Sequence, residues 1–206
     1  MIEILPIQNN TGEHGLGNAE AFVRWRAEVL KSEGVSESVL AAYGIDGMNM
    51  IAHHNQARLH TSTAKQDGHD FLGAFQDELM LGAAETRFWT PDDEKSYHFS
   101  VLNRYESRWI TILDSDRPKP QPIGIVALLA EKTDAQTEVF ESLLDHITNG
   151  RDQNDFLLPL TVHHPALPVA IEYGFERTNR FARQYGALHQ LYIREGDEST
   201  PTELVA

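Results

Sequence analysis

Residues 123–129 read Ile-Gly-Ile-Val-Ala-Leu-Leu, apolar at every position. A strand with one wet face alternates apolar and polar side chains, so an unbroken run belongs to a strand covered on both faces. That requirement points to a sheet with helices packed against it. The chain supplies suitable covers. Val139, Phe140, Leu143, Leu144 and Ile147 recur at helical spacing and stop at Asn149-Gly150. Phe156 to Val162 is the next strand, and Pro165 opens a short helix that runs to Gly174. Strands from Arg180 to Tyr185 and from Leu188 to Ile193 flank a turn at Gly186. Ahead of the apolar run, Trp109 to Leu113 is β-rich and Pro118, Pro120 and Pro122 lie between Asp114 and Ile123, which predicts a hairpin whose second strand is buried.

The N-terminal stretch carries a similar alternation. Ile2, Ile4, Leu5 and Ile7 make a strand ended by Gln8-Asn9-Asn10-Thr11-Gly12, and Asn18 caps a helix over 19–31 with Gly34 as its stop. A second helical stretch covers 37–43, and 48–52 reads as a short buried strand. Phe71 to Ala84 suits either a helix or a strand pair, and Thr90-Pro91-Asp92-Asp93 opens a helix at Pro91. The whole pattern predicts an α/β protein with a mixed sheet flanked by helices. An internal echo suggests two related halves, 1–85 and 86–206, because strand, loop, helix and strand recur in each. The second strands end alike, in His53-His54-Asn55 and in His163-His164-Pro165, and an acidic tail starts at about Glu195.

Charge and cysteine usage narrow the function. The 206 residues hold 17 Lys and Arg against 31 Asp and Glu, a net charge of −14, which argues against nucleic acid as a partner. With no cysteine there is no thiolate metal site and no Cys nucleophile. Neither a signal peptide nor a 20-residue apolar span is present, so a soluble cytoplasmic protein with no membrane partner is expected. His53, His54, His60 and His69 cluster in sequence without a His-x-x-x-His spacing, so no metal is expected. A Gly-x-Ser-x-Gly elbow and a Gly-Lys-Ser/Thr loop are also missing.

Gly12-Glu13-His14-Gly15-Leu16-Gly17 joins a strand to a helix. Glycines there let successive N–H groups close on an anion at the positive end of the helix, although a plain chain-reversing turn uses the same residues. The run resembles the acyl-CoA loop of the GNAT superfamily of N-acetyltransferases, whose consensus is Gln/Arg-x-x-Gly-x-Gly/Ala; Gly12 stands at the first position. The resemblance implies cofactor binding by Gly12, His14, Gly15, Leu16, Gly17 and Asn18, with Asn55 as the side chain that contacts the cofactor after the next strand. The family's general-acid Tyr would fall at Ser62, and Glu3 occupies a place where some members carry a catalytic base. The segment from Ile123 to Glu176 resembles the family's C-terminal portion, with Gly174-Phe175 its most typical element. There the Asn and Tyr positions fall on His163 and Ala170, and the loop Glu131-Lys132-Thr133-Asp134 has no glycine. A complete family domain has three strands before the loop strand, whereas the glycine loop follows the first strand here.

The resemblance thus implies an acyl-CoA-dependent N-acetyltransferase with acetyl-CoA as co-substrate, acting on a small-molecule amine or a protein amine, and compatible with a homodimer. An acidic surface would favour a cationic amine. Two alternatives stay open: a non-catalytic interaction or regulatory protein on the same fold, and an unrelated α/β fold whose glycine-rich turn is only a turn.

Overall fold

The computed structural model describes residues 1–6, 27–32, 34–42, 70–77, 79–89, 100–101, 122–184 and 187–197. In chain order the elements are β1 (Glu3–Pro6), α1 (Glu37–Ala42), β2 (Asp70–Gln76), β3 (Leu79–Phe88), β4 (Ser100–Val101), β5 (Ile123–Ala130), α2 (Gln136–Thr148), β6 (Phe156–Thr161), α3 (Leu167–Glu172), β7 (Glu176–Gln184) and β8 (Ala187–Arg194). Residues 27–32 are helical as well. The expected strand at 48–52, the helix start at Pro91 and the β-rich 109–113 lie outside the described residues.

The strands form one eight-stranded sheet in the order β1-β2-β3-β5-β6-β8-β7-β4. The stretch 71–84, open between helix and strand pair in the sequence, is a hairpin: Gln76 pairs with Leu79 across a two-residue turn. Asp77 has φ 50°, a left-handed conformation that Asp tolerates better than most side chains and that such tight turns require. The boundary expected between residues 85 and 86 falls inside β3, and strands from both stretches share the sheet.

The all-apolar β5 is covered on both faces. Ile123, Ile125, Leu128 and Ala130 join the core under α2 and α3, with Phe140, Leu143, Leu144, Val169 and Ala170. Leu129 points to the other side and packs with Val29, Leu30 and Leu40. Its antiparallel neighbour is β3. Helix α2 buries Val139, Phe140, Leu143, Leu144 and Ile147, the face that the sequence spacing implied. It docks closely because β3 carries Gly82 there: a Cβ at that position would overlap the Val139 side chain. Trp89 is fully buried against Gly124 and is held by its backbone N–H, which donates to the Pro122 carbonyl at 2.7 Å. The helix stops at Gly150, whose φ of 71° takes the chain out of the helical path.

Among the described residues no helix is long and apolar enough to cross a membrane.

Candidate functional site

β5 and β6 are parallel neighbours, yet they pair only at Ile123↔Phe156 and Gly124↔Leu157. The Ile123 N–H donates to the Asp155 carbonyl at 2.8 Å and closes that end. Beyond it the register between β3 and β5 slips, with Glu85 opposite Ala127 and Thr86 opposite Ile125, so Val126 is an extra residue on β5. A bulge of this kind bends its strand. The carboxyl ends of β5 and β6 therefore diverge into a wedge at the middle of the sheet.

Two helices start at that mouth. β5 leads into α2 through Glu131–Ala135, and β6 leads into α3 through Val162–Ala166. The residue before α2, Ala135, provides no side-chain cap, so the first-turn N–H groups are not capped by a side chain of that residue. Such donors attract negative charge. The loop itself is tight: the Thr133 N–H donates to the Glu131 carbonyl at 2.9 Å, and the Gln136 N–H to the Thr133 carbonyl at 3.1 Å. It holds Lys132 beside Glu131 and Asp134, and Glu138 lies in the first helical turn.

His164 lies in the loop between β6 and α3. Its Nδ1 accepts the Ala166 N–H at 3.1 Å, and its ring lies 5.9 Å from that of Phe140, inclined by 56°. Burial, and next the charge of nearby His189, lower its pKa to about 4, while a hydrogen bond with the Leu128 backbone works the other way. The ring is therefore neutral at physiological pH. Further out, the Tyr173 hydroxyl donates to the Glu141 carbonyl at 3.1 Å and ties α3 to α2. Burial, and then Asp145, Glu141 and Glu172, raise the Tyr173 pKa, so that hydroxyl is a poor proton donor to a substrate.

Of the residues that the sequence put forward, Gly12, His14, Gly15, Leu16, Gly17, Asn18 and Asn55 lie outside the described residues, as does Ser62. Glu3 is exposed on β1, opposite Phe75 of β2, and both β2 and β3 separate it from β5. Ala170, at the family's Tyr position, lies on the buried face of α3 and offers no acid. The three antiparallel strands β1, β2 and β3 precede β5, so the strand with that preamble is Ile123–Ala130 and the loop after it is Glu131–Ala135. His164 was visible in sequence only as part of His-His-Pro-Ala between a strand and a short helix; its burial depends on distant residues such as Phe140 and His189. Among the described residues no group of three His, Asp or Glu could hold a metal.

No protein-family model matches the chain, and no curated protein matches its sequence. Solved structures do match over nearly its whole length. The PaiA N-acetyltransferase of Thermoplasma acidophilum, in complex with coenzyme A, superposes with a TM-score of 0.57 at 13% identity, covering 95% of this chain and 99% of that one. A protein from Corynebacterium glutamicum described as histone acetyltransferase HPA2 and related acetyltransferase gives 0.55 at 12% identity, covering 98% of each chain. The yncA protein of Salmonella typhimurium, with its cofactor acetyl-CoA, gives 0.55 at 10% identity and 99% of each chain.

Proposed function

We propose that this chain, whose fold is that of the GNAT N-acetyltransferases, binds acetyl-CoA and transfers the acyl group to an amine. The observation that carries the reading is the wedge: two parallel strands that part after two rungs, with the start of α2 at the opening. Acetyl-CoA supplies a thioester, whose acyl carbon is electrophilic and whose thiolate is a good leaving group. An extended, amide-bearing arm can add to a strand edge through backbone hydrogen bonds, and phosphates suit a helix N-terminus. Acid side chains at 131, 134 and 138 oppose phosphate there, and Lys132 favours it.

Along the wedge, backbone N–H groups of β5 can polarise the acyl carbonyl and stabilise the oxyanion that forms when the amine attacks. The amine must first lose a proton. Glu3 remains the proposed base, and from the edge of the sheet it would act through a water relay. A Glu3→Gln enzyme with an undiminished rate and pH profile would remove it. The net charge of −14 favours a cationic acceptor, either a small polyvalent amine or a protein amine. The proposal keeps Gly12, His14, Gly15, Leu16, Gly17, Asn18 and Asn55 as further cofactor contacts, to be tested beside the loop 131–135.

A second reading, a non-catalytic interaction or regulatory protein on this fold, is favoured by one observation. The loop between β5 and α2 has no glycine to let its backbone wrap an anion.

Thermal unfolding with and without acetyl-CoA separates these readings. At 100 times the dissociation constant, binding stabilises the folded state by about 2.7 kcal/mol. Ala135→Asp places a carboxylate beside the first turn of α2; it should leave the apo protein as stable or slightly more so, and abolish the shift. Loss of the shift in Gly17→Trp instead would move the cofactor to the glycine loop. No shift in wild type at millimolar acetyl-CoA would leave the non-catalytic reading.

A further inference from the structure

The closed end of the wedge is anchored on the loop 149–155 between α2 and β6. Asp155 gives its carbonyl to the Ile123 N–H at 2.8 Å, next to the Ile123↔Phe156 rung. Earlier in the loop, the Arg151 guanidinium lies 3.6 Å from the carboxylate of Asp70 on β2. The chain leaving β8 crosses the same loop. There the Gly196 N–H donates to Asp155 Oδ1 at 2.8 Å, and the Asp197 N–H donates to the Asp152 carbonyl at 2.7 Å. Arg194, at the end of β8, lies 3.6 Å from the Asp152 carboxylate, and its guanidinium stands 5.7 Å from the centre of the Phe156 ring. Asp155 thus holds β5 with its main chain and the segment after β8 with its side chain.

The crossing admits only glycine. Gly196 is half-buried and its φ is not positive, so the constraint is one of space. A Cβ there would stand 2.5 Å from the carbonyl carbon and oxygen of Gln153 and 2.9 Å from the carbonyl carbon of Asn154. Those are backbone atoms, which cannot swing aside as a side-chain tip would. Ending β8 does not require so close an approach, because Arg194 already completes the ladder opposite Phe156.

β5 continues from the Gly124↔Leu157 rung to Ala130, a lever of roughly 20 Å at about 3.3 Å per residue. A ligand arm paired with that strand tolerates about half an ångström in its N–H···O distances, which at the mouth is a rotation of only about 1.5° about the closed end. The wedge therefore keeps its opening only as well as its closed end is fixed. We propose that residues 195–197 are a strap on that hinge: seated on Asp155 and Asp152, they hold β5 and β6 at the opening that admits the amide-bearing arm of the acyl donor. This inference rests on the acyl-CoA reading above. Gly196 and Asp155 are then positioning residues that do not touch the reacting atoms. With the strap released the hinge samples other openings, and donor affinity falls with the fraction of molecules that stay competent.

The test is coenzyme A titration by calorimetry into the full-length wild type, Gly196→Ala, Asp155→Ala and Asp155→Asn. Amide hydrogen exchange is followed beside it at Ile123, whose N–H sits on the hinge, and at Leu143 on the buried face of α2 as the reference for global opening. A hydrogen bond to a carboxylate is worth about tenfold or more in an equilibrium, so Gly196→Ala and Asp155→Ala should bind coenzyme A about three- to tenfold more weakly. Both should also speed exchange at Ile123 more than at Leu143. Asp155→Asn keeps an acceptor oxygen for the Gly196 N–H and should return toward wild type in both readouts. If Gly196→Ala does not fold, Asp155→Ala carries the same comparison. Wild-type affinity in the strap variants, or Ile123 exchange that rises no more than that of Leu143, overturns the strap and leaves the acyl-CoA reading standing. Silence from wild type at millimolar coenzyme A overturns both.

Discussion

Acid should destabilise this protein through His164, by an amount that follows from proton linkage. Burial first and then His189 hold the folded-state pKa at about 4, against an ordinary value of 6.5, with the Leu128 backbone opposing them. Between those values the unfolded chain binds the proton and the folded chain does not. Stability therefore falls as pH falls, at up to about 1.4 kcal/mol per pH unit. Above 6.5 neither state is charged and the effect vanishes; below about 4 both are, and the loss levels off at roughly 3 kcal/mol. Geometry sharpens the penalty, because a protonated Nδ1 would face the Ala166 N–H donor to donor. Urea midpoints of wild type and His164→Gln at pH 7 and pH 4.5 isolate this ring from the other histidines. Wild type should lose about 2.5 kcal/mol more than the variant over that interval. Parallel losses in the two proteins would refute the buried neutral ring.

Three substitutions probe the frame around the wedge. Gly82→Ala forces a methyl into Val139 and should cost about 1 to 3 kcal/mol by denaturant midpoint; an unchanged midpoint would mean that α2 does not rest on β3 so closely. Gly150→Ala meets nothing within 4 Å, so its cost comes from φ 71° alone and should be about 1 kcal/mol, with Gly150→Asn recovering part of it. Tyr173→Phe removes the donor to the Glu141 carbonyl and should cost about 0.5 to 1.5 kcal/mol while leaving any acyl-transfer rate intact. A large rate loss in that variant would make the hydroxyl a catalytic group after all.

Local pattern decided a good deal. The apolar run of β5 required cover on both faces, and it has Phe140 and Leu143 on one side and Leu30 and Leu40 on the other. The spacing of Val139 to Ile147 defined the buried face of α2, and Asn149-Gly150 defined its end. These features depend on residues within a turn or two of one another, so their physics is written in adjacent sequence. The segment 71–84 shows the limit: Gly73, Ala74, Gly82, Ala83 and Ala84 carry no clear period, and the choice of hairpin became visible only in the paired register of β2 and β3.

The site belongs to longer-range physics. Nothing in the apolar sequences of β5 and β6 says that they part after two rungs; the extra residue at Val126 and its neighbours in β3 decide that. The glycine loop at 12–17 drew attention because a backbone cradle is legible as composition, whereas the loop at 131–135 has no such signature and is marked by its place between β5 and α2. His164 is the clearest case. In sequence it is one of ten histidines, and its neutral state and its partners exist only because folding brings Leu128, Phe140 and His189 around it from three different elements. Periodicity and capping are local free energies that a chain carries wherever it goes; desolvation and strand divergence arise only when distant segments meet.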